Sequence, residues 1–236
     1  MYMFPVNCLR KDAEEGGVCD TRHMHSALPA LIFDLDGTLT DSKPGILGCL
    51  RKVITAWQLG DQGDLNRFIG PPVEGWCEEL LPAGSETERT RLANDYRALY
   101  DREGWSNNSA FPGVGALIVA LKAAGYPLYV CTSKQQHFAV RILEHFGLAT
   151  HFSAIYGDKA EYASHAKPDL LARLLREQPV EPANAWMIGD RIHDLEAAEA
   201  NGLRCLLVGW GYGTAEEQSR ASRVAATPGD LRGLLT

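Results

Sequence analysis

The chain has 236 residues, of which 45% are hydrophobic and 22% charged, enough apolar side chain to bury a core in one domain or in one domain carrying an insertion. Its formal charge of -7, with no clustered Lys/Arg stripe, argues against a nucleic-acid partner, so any phosphate it binds must be recognised locally. No apolar run approaches the roughly 18 residues of a membrane span, and the first residues lack the apolar stretch of a secretory signal, which excludes a membrane role and places the protein in the cytoplasm.

Residues 1–28 mix charges, glycines and isolated apolar side chains without periodicity and read as a disordered or loosely packed tail, with Met24 as an alternative start. The pattern then changes abruptly. Leu31-Ile32-Phe33 reads as a buried strand that ends at Asp34 and a turn at Gly37. In residues 43–110, Ile46, Leu50, Val53, Ile54 and Trp57 recur at helical spacing, as do Leu92, Tyr96, Leu99 and Tyr100. An all-helical insertion directly after a strand end predicts a cap over that end. Within it, Gly70-Pro71-Pro72 suits a helix connector and, equally, a contact with substrate.

The chain returns at Phe111-Pro112-Gly113 and alternates from there. Ala116, Leu117, Ala120 and Leu121 predict a helix; Pro127 to Cys131, before Thr132-Ser133, predict a strand. Phe138, Ile142, Leu143 and Phe146 predict a helix that stops at Gly147, and Leu170, Leu171, Leu174 and Leu175 another, opened by Pro168. Ala185 to Ile188 and Leu203 to Val208 supply two more strands. The alternation predicts an α/β fold: a Rossmann-like parallel sheet core (29–42 and 111–236) with an inserted helical cap (43–110), its binding crevice at the carboxyl ends of the strands. Six cysteines, Cys8, Cys19, Cys49, Cys77, Cys131 and Cys205, form no C-x-x-C pair and are expected to be reduced thiols.

The polar residues at those strand ends carry chemistry. Asp34 and Asp36 share one face while the chain stays extended, and two carboxylates about 4 Å apart repel by roughly 4 kcal/mol at an effective dielectric of 20. Such a pair needs a proton or a cation, and phosphoryl transfer uses both: one carboxylate attacks phosphorus beside a divalent ion while the other serves the leaving oxygen. Gly37 and Thr38 add a tight turn and backbone amides. The Thr132 hydroxyl and Ser133 amide suit a phosphoryl oxygen, although Thr is also a common helix cap. Lys167 suits charge neutralisation, although a lone Lys is usually a surface charge. Asp190 and Asp194 lie at i and i+4 near a helix start, where they could cap the helix or hold Mg²⁺. His193 reads as a surface histidine, and Trp210 and Tyr212 as packing against a neighbouring loop.

In the order Asp34-x-Asp36, Thr132, Lys167 and Gly189-Asp190-x-x-x-Asp194, these loops resemble the haloacid dehalogenase superfamily over residues 31–236. Ile69-Gly70-Pro71-Pro72, Thr132-Ser133-Lys134, Met187 to Arg191 and Gly209 to Gly213 look like its phosphoglycolate phosphatase-like branch, which also holds bacterial 5'-nucleotidase-like members. The resemblance implies a Mg²⁺-dependent phosphatase that hydrolyses a small phosphorylated metabolite through an aspartyl phosphate. It makes Asp34 the nucleophile, Asp36 the acid/base, Thr132 and Lys167 the phosphate stabilisers, and Asp34, Asp36 and Asp190 the metal set. Asp194 would either reach the metal through water or orient Lys167. Gly37, Thr38, Ser133, Lys134, Pro71 and Pro72 are the expected phosphate or substrate contacts. The acid at Asp36 favours phosphate esters over the haloacids and phosphonates of related enzymes. A phosphomutase of the same fold and a non-catalytic ligand-binding relative are the alternatives, and the protein is expected to be a monomer or homodimer.

Overall fold

The computed structural model describes residues 28–235; residues 1–27, with the expected tail and Met24, lie outside the described residues. The first strand, β1 (Ala30–Phe33), is buried along its whole length. Alternate side chains leave its two faces: Leu31 and Phe33 join one apolar cluster and Ala30 and Ile32 a second. A strand with no polar face must be covered on both sides, which is the condition for an interior parallel strand.

After β1 come a short strand β2 (Thr40–Asp41), helices α1 (Lys43–Ala56), α2 (Val73–Leu80) and α3 (Glu86–Leu99), and a second short strand β3 (Ser109–Ala110). The chain continues as α4 (Val114–Ala123), β4 (Leu128–Gln135), α5 (Gln136–His145), β5 (Ala154–Asp158), α6 (Lys167–Glu177), β6 (Ala185–Gly189), α7 (Ile192–Ala200) and β7 (Arg204–Val208). It ends in α8 (Ala215–Arg220), β8 (Val224–Ala225) and α9 (Pro228–Leu231). Six strands form one parallel sheet in the order β5-β4-β1-β6-β7-β8. α4 and α5 cover one face, through Ile118, Leu121, Ile142 and Leu143, and α6 and α7 the other, through Leu171, Leu174, Ala197 and Ala198. The sheet grows on one side of β1 as far as β5 and on the other from β6 onward, so the loops after β1, β4 and β6 emerge side by side at the switch point.

The expected α/β core with its helical insertion is what the chain adopts. The strands differ from expectation in two places. β4 continues past Cys131 through Thr132 and Ser133 to Gln135, pairing with β5 across a register shift; this polar extension has no apolar pattern that would reveal it, and β5 carries only the short run Ala154-Ile155-Tyr156. The insertion leaves and rejoins the core through the antiparallel pair β2–β3, Thr40 opposite Ala110 and Asp41 opposite Ser109, so Ser109 and Ala110 are stem rather than helix. Above that stem α1, α2 and α3 bury a third apolar cluster that includes Trp76, Leu92 and Tyr96. A Ser85–Glu88 capping box opens α3, and a π-helical turn, Tyr100–Gly104, extends it. Phe138 of α5 enters the same cluster, its ring 5.0 Å from that of Tyr100, and thereby joins cap to core.

Candidate active site

Asp34 follows β1 directly, its amide donating to the Ile188 carbonyl of β6 at 2.8 Å. The chain then turns at Gly37, which has φ +85°, and a Cβ there would come within 2.2 Å of an Asp190 carboxylate oxygen. Glycine is required on both counts. The turn brings the loop after β1 against the loop after β6, where the fully buried Asp190 accepts a hydrogen bond from Thr38 Oγ1 (3.4 Å) on one oxygen and from the Tyr212 amide (2.7 Å) on the other.

Asp194, in the first turn of α7, accepts the amides of Asp190 (3.1 Å) and Arg191 (3.0 Å) on Oδ2. Its Oδ1 takes Lys167 Nζ at 2.5 Å. Lys167 opens α6 and lies 2.8 Å from Asp34 Oδ1 as well, so one buried ammonium ties together the strand ends of β1 and β6. Asp34, Asp190 and Asp194 offer carboxylate oxygens that all lie within 4.8 Å of one another. At that separation each carboxylate pair repels by roughly 3 to 4 kcal/mol at an effective dielectric of about 20, and Lys167 cancels only one of the three charges.

The ionisation of the cluster reflects this crowding. Burial pushes the Asp34 carboxyl up to about 6; Lys167 pulls it down and Asp194 pushes it further up. Burial, then Asp194 and Asp34, raise Asp190 well above the ordinary carboxylate range. Burial acts to lower the Lys167 pKa, but Asp194 and Asp34 outweigh it and keep the ammonium charged. Three hard oxygen donors with excess negative charge fit a divalent cation such as Mg²⁺.

Asp36 stands apart from this group. Its Oδ2 is bound by Lys134 Nζ at 2.7 Å, both side chains being largely buried, and its Oδ1 is buried without a hydrogen-bond partner. The carboxylates that cluster are thus Asp34, Asp190 and Asp194, while Lys134, near the end of β4, takes up one carboxylate oxygen of Asp36. Gly37 and Thr38 shape the surroundings of Asp190.

The cavity itself is lined at its floor by Asp34, Asp36, Thr132, Ser133, Lys134, Lys167 and Asp194 and at its roof by cap residues that include Pro71 and Pro72. Thr132, buried in β4 where the strand turns from apolar to polar, accepts the Lys134 amide on its hydroxyl at 3.2 Å. His193 reaches the rim, 3.5 Å from Glu196. Trp210 donates to the Thr38 carbonyl at 3.0 Å and Tyr212 to Asp41 at 2.8 Å, packing against the loop after β1. Sequence reasoning missed Arg191, which bonds the Ile69 carbonyl of the cap at 2.7 Å and pairs with Glu217 at 2.9 Å. It also missed the lining side chains Glu74, Trp76 and Arg97. Their only signal is an Arg beside Asp190 and apolar positions on cap helices, which serve packing equally well.

The arrangement resembles known proteins throughout. The profile of the haloacid dehalogenase-like hydrolases matches residues 31–208. The tyrosine-protein kinase PtkA of Mycobacterium tuberculosis is 39% identical over 87% of this chain and 72% of its own. A 5'-nucleotidase of Pseudomonas aeruginosa is 38% identical over 87% of this chain and 93% of its own. In three dimensions, a crystal structure of a predicted phosphatase from Clostridium acetobutylicum superposes with a TM-score of 0.82 at 32% identity, covering 88% of this chain and 98% of the other.

Proposed function

Since the chain belongs to the haloacid dehalogenase-like hydrolases and is a phosphatase of that family, we propose that it hydrolyses a small phosphomonoester with Mg²⁺ through an aspartyl phosphate on Asp34. The observation that carries this reading is the convergence of Asp34, Asp36, Thr132 and Lys167 on one cavity beside a buried triad of carboxylates.

Asp34 attacks phosphorus as the bond to the leaving oxygen breaks, and Asp36, through its unpartnered Oδ1, gives that oxygen a proton. Lys134 fixes the other oxygen and so aims the carboxyl. In the second half, Asp36 takes a proton from water as the water displaces Asp34 from phosphorus, releasing phosphate and returning Asp34 to a carboxylate and Asp36 to its protonated form. Lys167 and the Thr132 hydroxyl hold the phosphoryl oxygens, the lysine also holding Asp34 in place. Asp34 and Asp190, with Asp194 beside them, would hold Mg²⁺, which when bound would supply positive charge that offsets the repulsion between a dianionic phosphate and an anionic nucleophile.

Asp34→Asn is expected to lower Mg²⁺-dependent phosphate release by at least about 10⁴-fold, measured over a panel of phosphoglycolate, nucleotides and sugar phosphates. Retention of full activity would refute the reading. The 39% identity to a protein named as a tyrosine kinase supports a second acceptor: the same aspartyl phosphate passing to a tyrosine hydroxyl instead of water. Phosphotyrosine formed on the purified protein with labelled ATP, and lost in Asp34→Asn, would distinguish it.

A further inference from the structure

Among the described residues, the cavity contains no cation to spare for a second negative group on the substrate. Four Lys or Arg side chains line it, and each already faces a carboxylate: Lys134 faces Asp36, Lys167 faces Asp34 and Asp194, Arg191 faces Glu217, and Arg97 faces Glu74. The rim histidine His193 has Glu196 beside it. Three of these pairs belong to the floor and the cap latch already described. The fourth, Glu74–Arg97, sits in the cap away from the reacting groups, and nothing in the reaction requires it.

The rest of the roof is apolar and partly aromatic: Pro71, Pro72, Trp76, Tyr96 and Tyr100 line it, with Phe138 from the core. Trp76 spends its indole N–H on the Pro71 carbonyl at 3.0 Å, leaving ring surface. Arg97 binds Glu74 through Nη2, while its Nε is buried without a partner. Burial acts to raise the Glu74 carboxyl, but the hydrogen bond and charge of Arg97 together with a backbone hydrogen bond outweigh it and hold the carboxyl below its ordinary value. Donor and acceptor therefore lie side by side against an apolar wall, a pairing that suits an uncharged amide-like edge on a ring.

Resting on the phosphatase reading above, we propose that Glu74 is a specificity-determining residue: by neutralising Arg97 it excludes substrates with a second carboxylate or phosphate and selects phosphomonoesters whose leaving alcohol carries an uncharged, ring-bearing group, namely nucleoside 5'-monophosphates. A substrate bearing a second anion would have to break the Glu74–Arg97 pair or sit beside Glu74 uncompensated.

The test is a ratio of kcat/KM values, which does not depend on the fraction of enzyme correctly folded. With Mg²⁺, AMP and UMP are expected to exceed 2-phosphoglycolate and fructose 1,6-bisphosphate by at least tenfold. Glu74→Gln, which unmasks the Arg97 charge, is expected to shift the ratio by at least tenfold toward 2-phosphoglycolate, and Glu74→Gln/Arg97→Gln to cancel that shift. A wild-type preference for 2-phosphoglycolate or the bisphosphate, or a ratio unmoved by Glu74→Gln, overturns the assignment of Glu74 while leaving the phosphatase reading intact. Failure of the wild type to release phosphate from any of the four overturns that reading and this inference with it.

Discussion

Asp34 and Asp190 hold their protons to a higher pH than ordinary carboxylates, Asp34 to about 6, because burial and neighbouring carboxylates oppose their charge. A carboxyl raised in this way favours the fold below its ordinary value of 3.8 and loses that contribution as pH rises through about 6. A cation held by the same oxygens competes with the protons and restores stability above that range. The rise in Tm on adding Mg²⁺ is therefore expected to be slight at pH 5 and about 5 °C or more at pH 7.5, read by scanning calorimetry. Equal shifts at the two pH values would mean that cation and protons do not share the site. Lys134 makes a separate prediction. Lys134→Met removes the ammonium 2.7 Å from Asp36 and is expected to lower kcat by about 10²-fold or more with a smaller change in KM, as fits an aiming role for the proposed acid/base. A change in KM alone would assign Lys134 to substrate binding instead.

β1 and β6 each carry a site residue just past their end because these strands are apolar up to that point and polar beyond it. β1 runs buried to Phe33 and delivers Asp34; β6 runs buried to Gly189, where a Cβ would come within 2.0 Å of the Asp194 carboxyl carbon, and delivers Asp190. α5 serves another purpose. Its Phe138 is 5% exposed and belongs to the cap cluster, not to the core beneath it. Phe138→Ala should cost about 3 to 5 kcal/mol of stability, measured by urea denaturation, and should raise the KM of the remaining folded enzyme because the Tyr100 contact that seats the cap is lost. Loss of stability at unchanged KM would show that the cap is seated by other contacts.

At the scale of the whole molecule, cap and core meet around the cavity, and Arg191 bridges them from the start of α7 to the Ile69 carbonyl. The same side chain is held by Glu217, so its reach is fixed by the core. Arg191→Met removes one charge-assisted hydrogen bond, worth about 1.5 to 3 kcal/mol, and is expected to raise KM by roughly 10-fold or more while kcat changes less. An unchanged KM in steady-state kinetics would show that this contact does not hold the cap over substrate. Among the described residues no helix is long and apolar enough to cross a membrane, and the four described cysteines are free and buried.

The sequence alone determined the α/β core, the helical insertion and the four loops that meet at the crevice, because strand ends, turn glycines and helical periodicity are encoded over a few neighbouring residues. The family was legible from the same loops read in order. Only the tertiary structure decided that Asp194 rather than Asp36 completes the carboxylate cluster, that Lys134 faces Asp36 across 98 residues of chain, and that Thr38 supports Asp190 across 152. Likewise, Glu74 and Arg97 are unremarkable charges on two helices until the cap folds them together. Such pairings depend on how distant loops pack, and no local pattern records the distance between two side chains that meet only when the chain has closed on itself.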